Sequence, residues 1–174
     1  MSVPIYRLSV PVFVRGLGVL QHYVDLAERH AQEAGLDPTA LADTRLAPDM
    51  LNFAGQIQRA SDTSKNTIGR LSDIVPPRFD DNETTLAQLR ERIAATRRFL
   101  ESVDAAALDG AEQREVSLSF GTFKPSFNGT DYLLTFALPN FFFHVATAHA
   151  ILRQQGLAVG KLDYLGPFEQ FLPS

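Results

Sequence analysis

A chain of 174 residues is long enough for one hydrophobic core and short for two, so a single domain over 1–174 is expected. Its 45% hydrophobic and 21% charged content is that of a globular protein, and a net charge of −4 argues against a large basic surface for nucleic acid. The absence of Cys excludes a disulfide framework, a thiolate metal site and a cysteine nucleophile, and fits a cytoplasmic, reducing compartment.

The N-terminal stretch carries Arg7 among mixed residues and lacks a small-residue cleavage site, so no secretory signal is expected. The first helix is predicted from about Pro4 to Ala34. Tyr6, Val10, Phe13, Leu17, Leu20, Val24 and Ala27 recur at three- and four-residue steps and form one apolar stripe. Pro11 and the glycines Gly16 and Gly18 are candidates to bend it. Gly35 and then Pro38 mark its end.

A loop containing Asp37, Pro38, Asp43 and Arg45 follows. A second helix is predicted from about Pro48 to Arg70 or Leu71, with Met50, Phe53, Ile57, Ala60, Ser61, Ser64 and Ile68 on one face and Gln56 and Asp62 bordering it. The prolines of 75–82 make that stretch an extended linker. The third helix is placed from about Glu83 to Ser102, with Leu86, Leu89, Ile93 and Leu100 buried and Asn82 or Thr84 as its cap.

Residues 115–127 read as a β-hairpin. Val116, Leu118 and Phe120 alternate with polar residues, Gly121 turns, and Pro125 confines the second strand to an edge. The fourth helix is predicted from Thr130 or Asp131 to Gln155, kinked at Pro139, with Gly156 as its stop. Its apolar run is interrupted by Thr135, Pro139, Asn140, His144, Thr147 and His149, which is too polar for a membrane span. The tail from Leu157 to Ser174 is expected to wrap as coil. Four amphipathic helices with one hairpin argue for a helical bundle, mainly all-α.

Asn140 and His144 stand four residues apart, on one face of the last helix. Such a pair is either part of a metal site or a hydrogen-bonded polar pair. Phe141, Phe142 and Phe143 cover too much of a helix to face one core, so part of the run is open to a partner chain. His149 does not share the face of His144. His22 and His30 are given no role. Arg45, Asp49, Asp62 and Lys65 are either local ion pairs or the polar mouth of a pocket between helices. Asp49 is placed in the first turn of the second helix, where the dipole favours a carboxylate. The Gly16-Leu17-Gly18 run follows no strand and is not a dinucleotide loop.

The segments Arg45–Met50, Phe79–Thr84, Pro139–His144 and Gly160–Gly166 resemble an uncharacterised bacterial family, domain of unknown function nineteen-ninety-three, over nearly the whole chain. That family is grouped with the DinB-like, or YfiT-like, four-helix bundles. The resemblance implies an up-down-down-up helix order and a homodimer. It also implies a site where the wider group carries three His ligands for a divalent metal. Counting back from Gly156 sets Asn140 and His144 at two of those positions, and Gln56 is the nearest match to the third. Amide oxygens are weak zinc ligands, so no metal or other cofactor is expected; a divalent metal, if held, would rest on His144, Asn140 and Gln56.

Two functions follow. One is a binding protein for an unknown small molecule, held between helices near Gln56, Asn140, His144, Arg45, Asp49 and Asp62, with a degenerate metal site. The other is an enzyme of transferase or hydrolase type using His144 or a weakly held metal. Neither a nucleic acid nor a membrane is expected as a partner.

Overall fold

The computed structural model describes residues 3–166. Helix α1 (Ile5–Ala34) runs through Pro11 and ends where Gly35 turns left-handed at φ 65°, its N–H returning to the carbonyls of Ala31 and Gln32. Phe13, Leu17, Leu20, Tyr23, Val24 and Ala27 are fully buried along one side. A short α2 (Pro38–Asp43), capped by Asp37, occupies part of the expected loop.

Helix α3 (Phe53–Leu71) starts five residues later than the proline at 48 suggests, because the Asn52 side chain accepts the Gly55 N–H and sets the cap there. Asp49 therefore lies ahead of the helix, not in its first turn. Helix α4 (Leu86–Glu101) is capped by Thr85, not by Asn82 or Thr84. Thr85 Oγ1 accepts the Gln88 N–H, and Gln88 Oε1 in turn accepts the Thr85 N–H.

The predicted hairpin is present but short. Strand β1 (Val116–Ser117) pairs antiparallel with β2 (Ser126–Phe127), and Phe120 bridges Phe123 across the Gly121 turn. Val116 and Leu118 face the core, while Phe120 is exposed. Helix α5 (Gly129–Gln154) begins at the Asn128 cap. Before Pro139 it widens into a π-helical turn over Tyr132–Ala137. A proline has no N–H to donate and clashes with the carbonyl one turn back; the wider turn accommodates both defects, where the sequence predicts a kink.

Gly129 is required by space. A Cβ there would overlap the Ala111 carbonyl oxygen, so this is where the connection from α4 closes on the start of α5. The tail is not all coil: α6 (Lys161–Leu165) docks on α1 through His22–Asp163 at 2.9 Å and through Arg15 to the Leu165 carbonyl. The remainder of the expected coil, 167–174, lies outside the described residues.

Cross-helix contacts give the order. Phe13 meets Phe141 and Tyr23 meets His149, so α1 and α5 run parallel. Gln56 meets His144 and Thr63 meets Asn140, so α3 and α5 run antiparallel. The long linker between α3 and α4 lets them run in the same direction, giving up-down-down-up. By length and composition α5 is apolar enough to cross a membrane, but Phe141, Val145, Ala148, Ile151 and Leu152 are packed into the bundle.

Candidate functional site

On α3, Gln56, Arg59 and Thr63 recur at three- and four-residue steps and share a face. On α5, Asn140 and His144 do the same. Two hydrogen bonds join these faces. His144 Nδ1 lies 2.8 Å from Gln56 Oε1, and Asn140 Nδ2 donates to Thr63 Oγ1 at 2.7 Å. Arg59 stands between the two rungs on α3.

The first rung fixes the imidazole. Gln56 Nε2 donates to the Leu51 carbonyl at 3.0 Å, so the amide cannot be reversed without opposing two oxygens. Its Oε1 accepts only. Nδ1 of His144 must therefore carry the proton, and Nε2 is left with the lone pair. Nε2 has no hydrogen-bond partner among the described residues, yet it is not sealed off; the one enclosed, unpartnered side-chain atom among them is Arg97 Nε.

His144 is only 9% exposed. Burial, with a further contribution from the Arg59 charge, lowers its pKa to about 4. The ring is neutral throughout the physiological range. Phe143, beside it, is 55% exposed and meets the imidazole edge-to-face at 5.3 Å between centroids. Phe141 is buried and Phe142 half-buried, so the three phenylalanines do diverge.

These donors do not fit a divalent metal. Both atoms of the Gln56 amide are engaged, and the Asn140 amide nitrogen is held by Thr63. Only His144 Nε2 and the Asn140 oxygen remain. A zinc centre takes three ligands from His, Cys, Asp or Glu, and no such three converge among the described residues. The Arg59 charge that discourages a proton on His144 also opposes a cation.

Of the other sequence candidates, Arg45 and Asp49 lie apart from this strip and Asp62 borders it through Arg59. Arg45 pairs with exposed Asp43 at 3.1 Å ahead of α3. Asp49 is exposed. Asp62 receives Arg92 of α4 at 2.8 Å and, from its own helix, Lys65 at 3.1 Å and Arg59 at 3.1 Å.

Asp62 thus belongs to a second polar assembly, which sequence reasoning missed. Arg92 is buried, and its guanidinium also binds Asp81 at 2.7 Å, Glu83 at 2.9 Å and Ser61 Oγ at 3.1 Å. It lies 4.7 Å from the Phe79 ring centre, and the Lys65 ammonium lies 5.4 Å from the same ring. Arg59, Lys65 and Arg92 balance Asp62, Asp81 and Glu83. Burial alone would raise the Asp81 carboxyl; the bond from Arg92 and the charges of Arg59 and Arg92 outweigh it and hold that carboxyl below its usual range. Asp81 also sits at φ 55°, a conformation that Asp tolerates better than most residues. This assembly fastens the linker to α3 and α4. The available signal was Arg92 itself, three residues after Leu89 on the buried face.

A third contact joins α1 to α5. Tyr23 is fully buried, with its hydroxyl 2.8 Å from His149 Nδ1. Burial, then the nearby Asp163 charge, pushes the Tyr23 phenol well above its usual range, and burial lowers His149.

Residues 5–165 match a family model described as domain of unknown function (DUF1993). A solved structure similar to this chain is a DinB family member protein from Shewanella denitrificans. It is 37% identical, with 97% of this chain and 96% of that chain covered and a TM-score of 0.88. No curated protein matches.

Proposed function

The chain belongs to the DUF1993 family and, with it, to the DinB-like four-helix bundles; on that basis we propose that it binds a small molecule between α3 and α5, at a degenerate metal site. The observation that carries this reading is the Gln56–His144 bond. It orients a neutral imidazole and leaves Nε2 as an open acceptor at a protein surface where a cation is disfavoured.

The enzymatic alternative needs a proton carrier titrating near the working pH. A pKa of about 4 makes His144 a weak base and favours hydrogen-bond acceptance over proton transfer. A thermal-shift screen of small molecules on the native chain and on His144→Leu tests the binding reading. Hits at a hundredfold excess over their dissociation constant should raise the native melting temperature by about 5 °C or more and lose most of that effect in the variant. Equal shifts in both proteins would place binding elsewhere and sink the proposal.

The protein is further proposed to act in the cytoplasm as a homodimer, covering the exposed Phe120, Phe123 and Leu134. Phe120 stacks near both Phe123 and Phe136, forming an aromatic surface at the hairpin tip. Light scattering at micromolar concentration should give twice the 19.2 kDa chain mass; a monomer mass rejects the dimer.

A further inference from the structure

The geometry points to the ligand class: we infer that the Gln56–His144 face takes an uncharged molecule with a hydroxyl group on an apolar body, its hydroxyl donating to His144 Nε2. This rests on the binding reading above and narrows it. Three observations select the class.

The first is the lone pair. With Nδ1–H committed to Gln56, Nε2 can only accept, so the ligand must bring a proton. A carboxylate, a phosphate monoester dianion or an ether brings none at that position. The second is charge. Arg59 acts on His144 electrostatically, which disfavours an ammonium group as the donor. An anionic group at that atom is already excluded because it brings no proton to Nε2. An uncharged donor remains. The third is the rim. Leu51, whose carbonyl orients Gln56, is 48% exposed, and Phe143, edge-on to His144, is 55% exposed. One apolar side chain thus comes from the segment ahead of α3 and one from α5, and an aromatic or aliphatic body laid against them removes both from water.

The chemistry is that of a phenol or a higher alcohol. It needs no metal and no change in the protonation of the imidazole.

The test uses the native chain and four probes sharing one ring: 4-ethylphenol, its methyl ether 4-ethylanisole, the anion 4-hydroxyphenylacetate and the cation tyramine. Affinity is read by titration, and the site by the imidazole nitrogen resonances of His144. The phenol should bind with a shift at Nε2. The ether should bind about tenfold more weakly, as expected for the loss of one neutral hydrogen bond that leaves its acceptor unpaired. Both charged probes should bind more weakly than the phenol.

Equal affinity for phenol and ether overturns the hydroxyl assignment. Tighter binding of the anion or the cation overturns the uncharged assignment. If screening hits perturb His144 while none of the four probes does, the binding reading stands and this ligand class fails. If nothing perturbs His144, both fail. His144→Leu supplies the control where it folds; where it does not, the phenol and ether pair on the native chain decides alone.

Discussion

Arg92→Met should lower the stability of the chain by about 3–5 kcal/mol, the largest single loss expected outside the apolar core. The magnitude comes from what stays behind. Methionine fills much of the space of the arginine stem but leaves Asp62, Asp81 and Glu83 close together with one cation fewer, and leaves Ser61 Oγ without its guanidinium donor. Glu83 is largely buried and cannot recover full hydration. Arg92→Lys should rescue little. A single ammonium cannot reach carboxylates on both sides of a planar fork or lie flat against Phe79. Urea denaturation of the two variants, read by circular dichroism, measures this directly. A loss below about 1 kcal/mol for Arg92→Met would mean that the cluster behaves as a set of solvated surface pairs.

Acid should destabilise the protein through His144 more than through any other histidine. Its folded pKa, about 4, lies below the ordinary value of 6.5. Above about pH 6.5 the ring is neutral in both folded and unfolded chains, and the full stability is present. As pH falls below that value the unfolded chain takes up a proton that the buried ring refuses, so stability declines by roughly 1.4 kcal/mol per pH unit. The decline levels off once the pH has passed through about 4, after a total of about 3 kcal/mol. His144→Leu should flatten this part of the stability–pH curve while leaving the carboxylate-dependent fall below it. If the variant keeps the wild-type slope between pH 6.5 and 4, the imidazole is not held neutral by burial.

The bundle was legible because its longest elements are its most periodic. The steps from Val10 to Ala27 and the apolar run around Phe141 survive any local ambiguity, and the prolines of 75–82 announce the crossover. Boundaries were harder, since several residues compete for each cap. Pro48 is a good first helical residue in principle, but Asn52 holds the real cap by bonding Gly55. The pairing of Gln56 with His144 was accessible because both positions follow from helix phase and family resemblance together. The partner of Asn140 was not, because Thr63 is one of several hydroxyls on α3. Arg92, although in phase with Leu89, was passed over for a deeper reason. An apolar pattern assigns arginine to solvent, and only the folded linker, bringing Phe79, Asp81 and Glu83 alongside, makes its burial affordable.

The wide turn at Tyr132–Ala137 acts, geometrically, as an extra residue within a continuous helix. Each residue advances a helix by about 100°, so this insertion sets the rotational phase of everything downstream, Asn140 and His144 included. The buried residues of the turn itself, Tyr132, Leu133 and Ala137, and the stripe after it that carries Asn140 and His144 are therefore under separate control. One residue more or fewer after Leu133 would turn Asn140 and His144 by about 100° while leaving Tyr132 and Leu133 against the rest of the bundle.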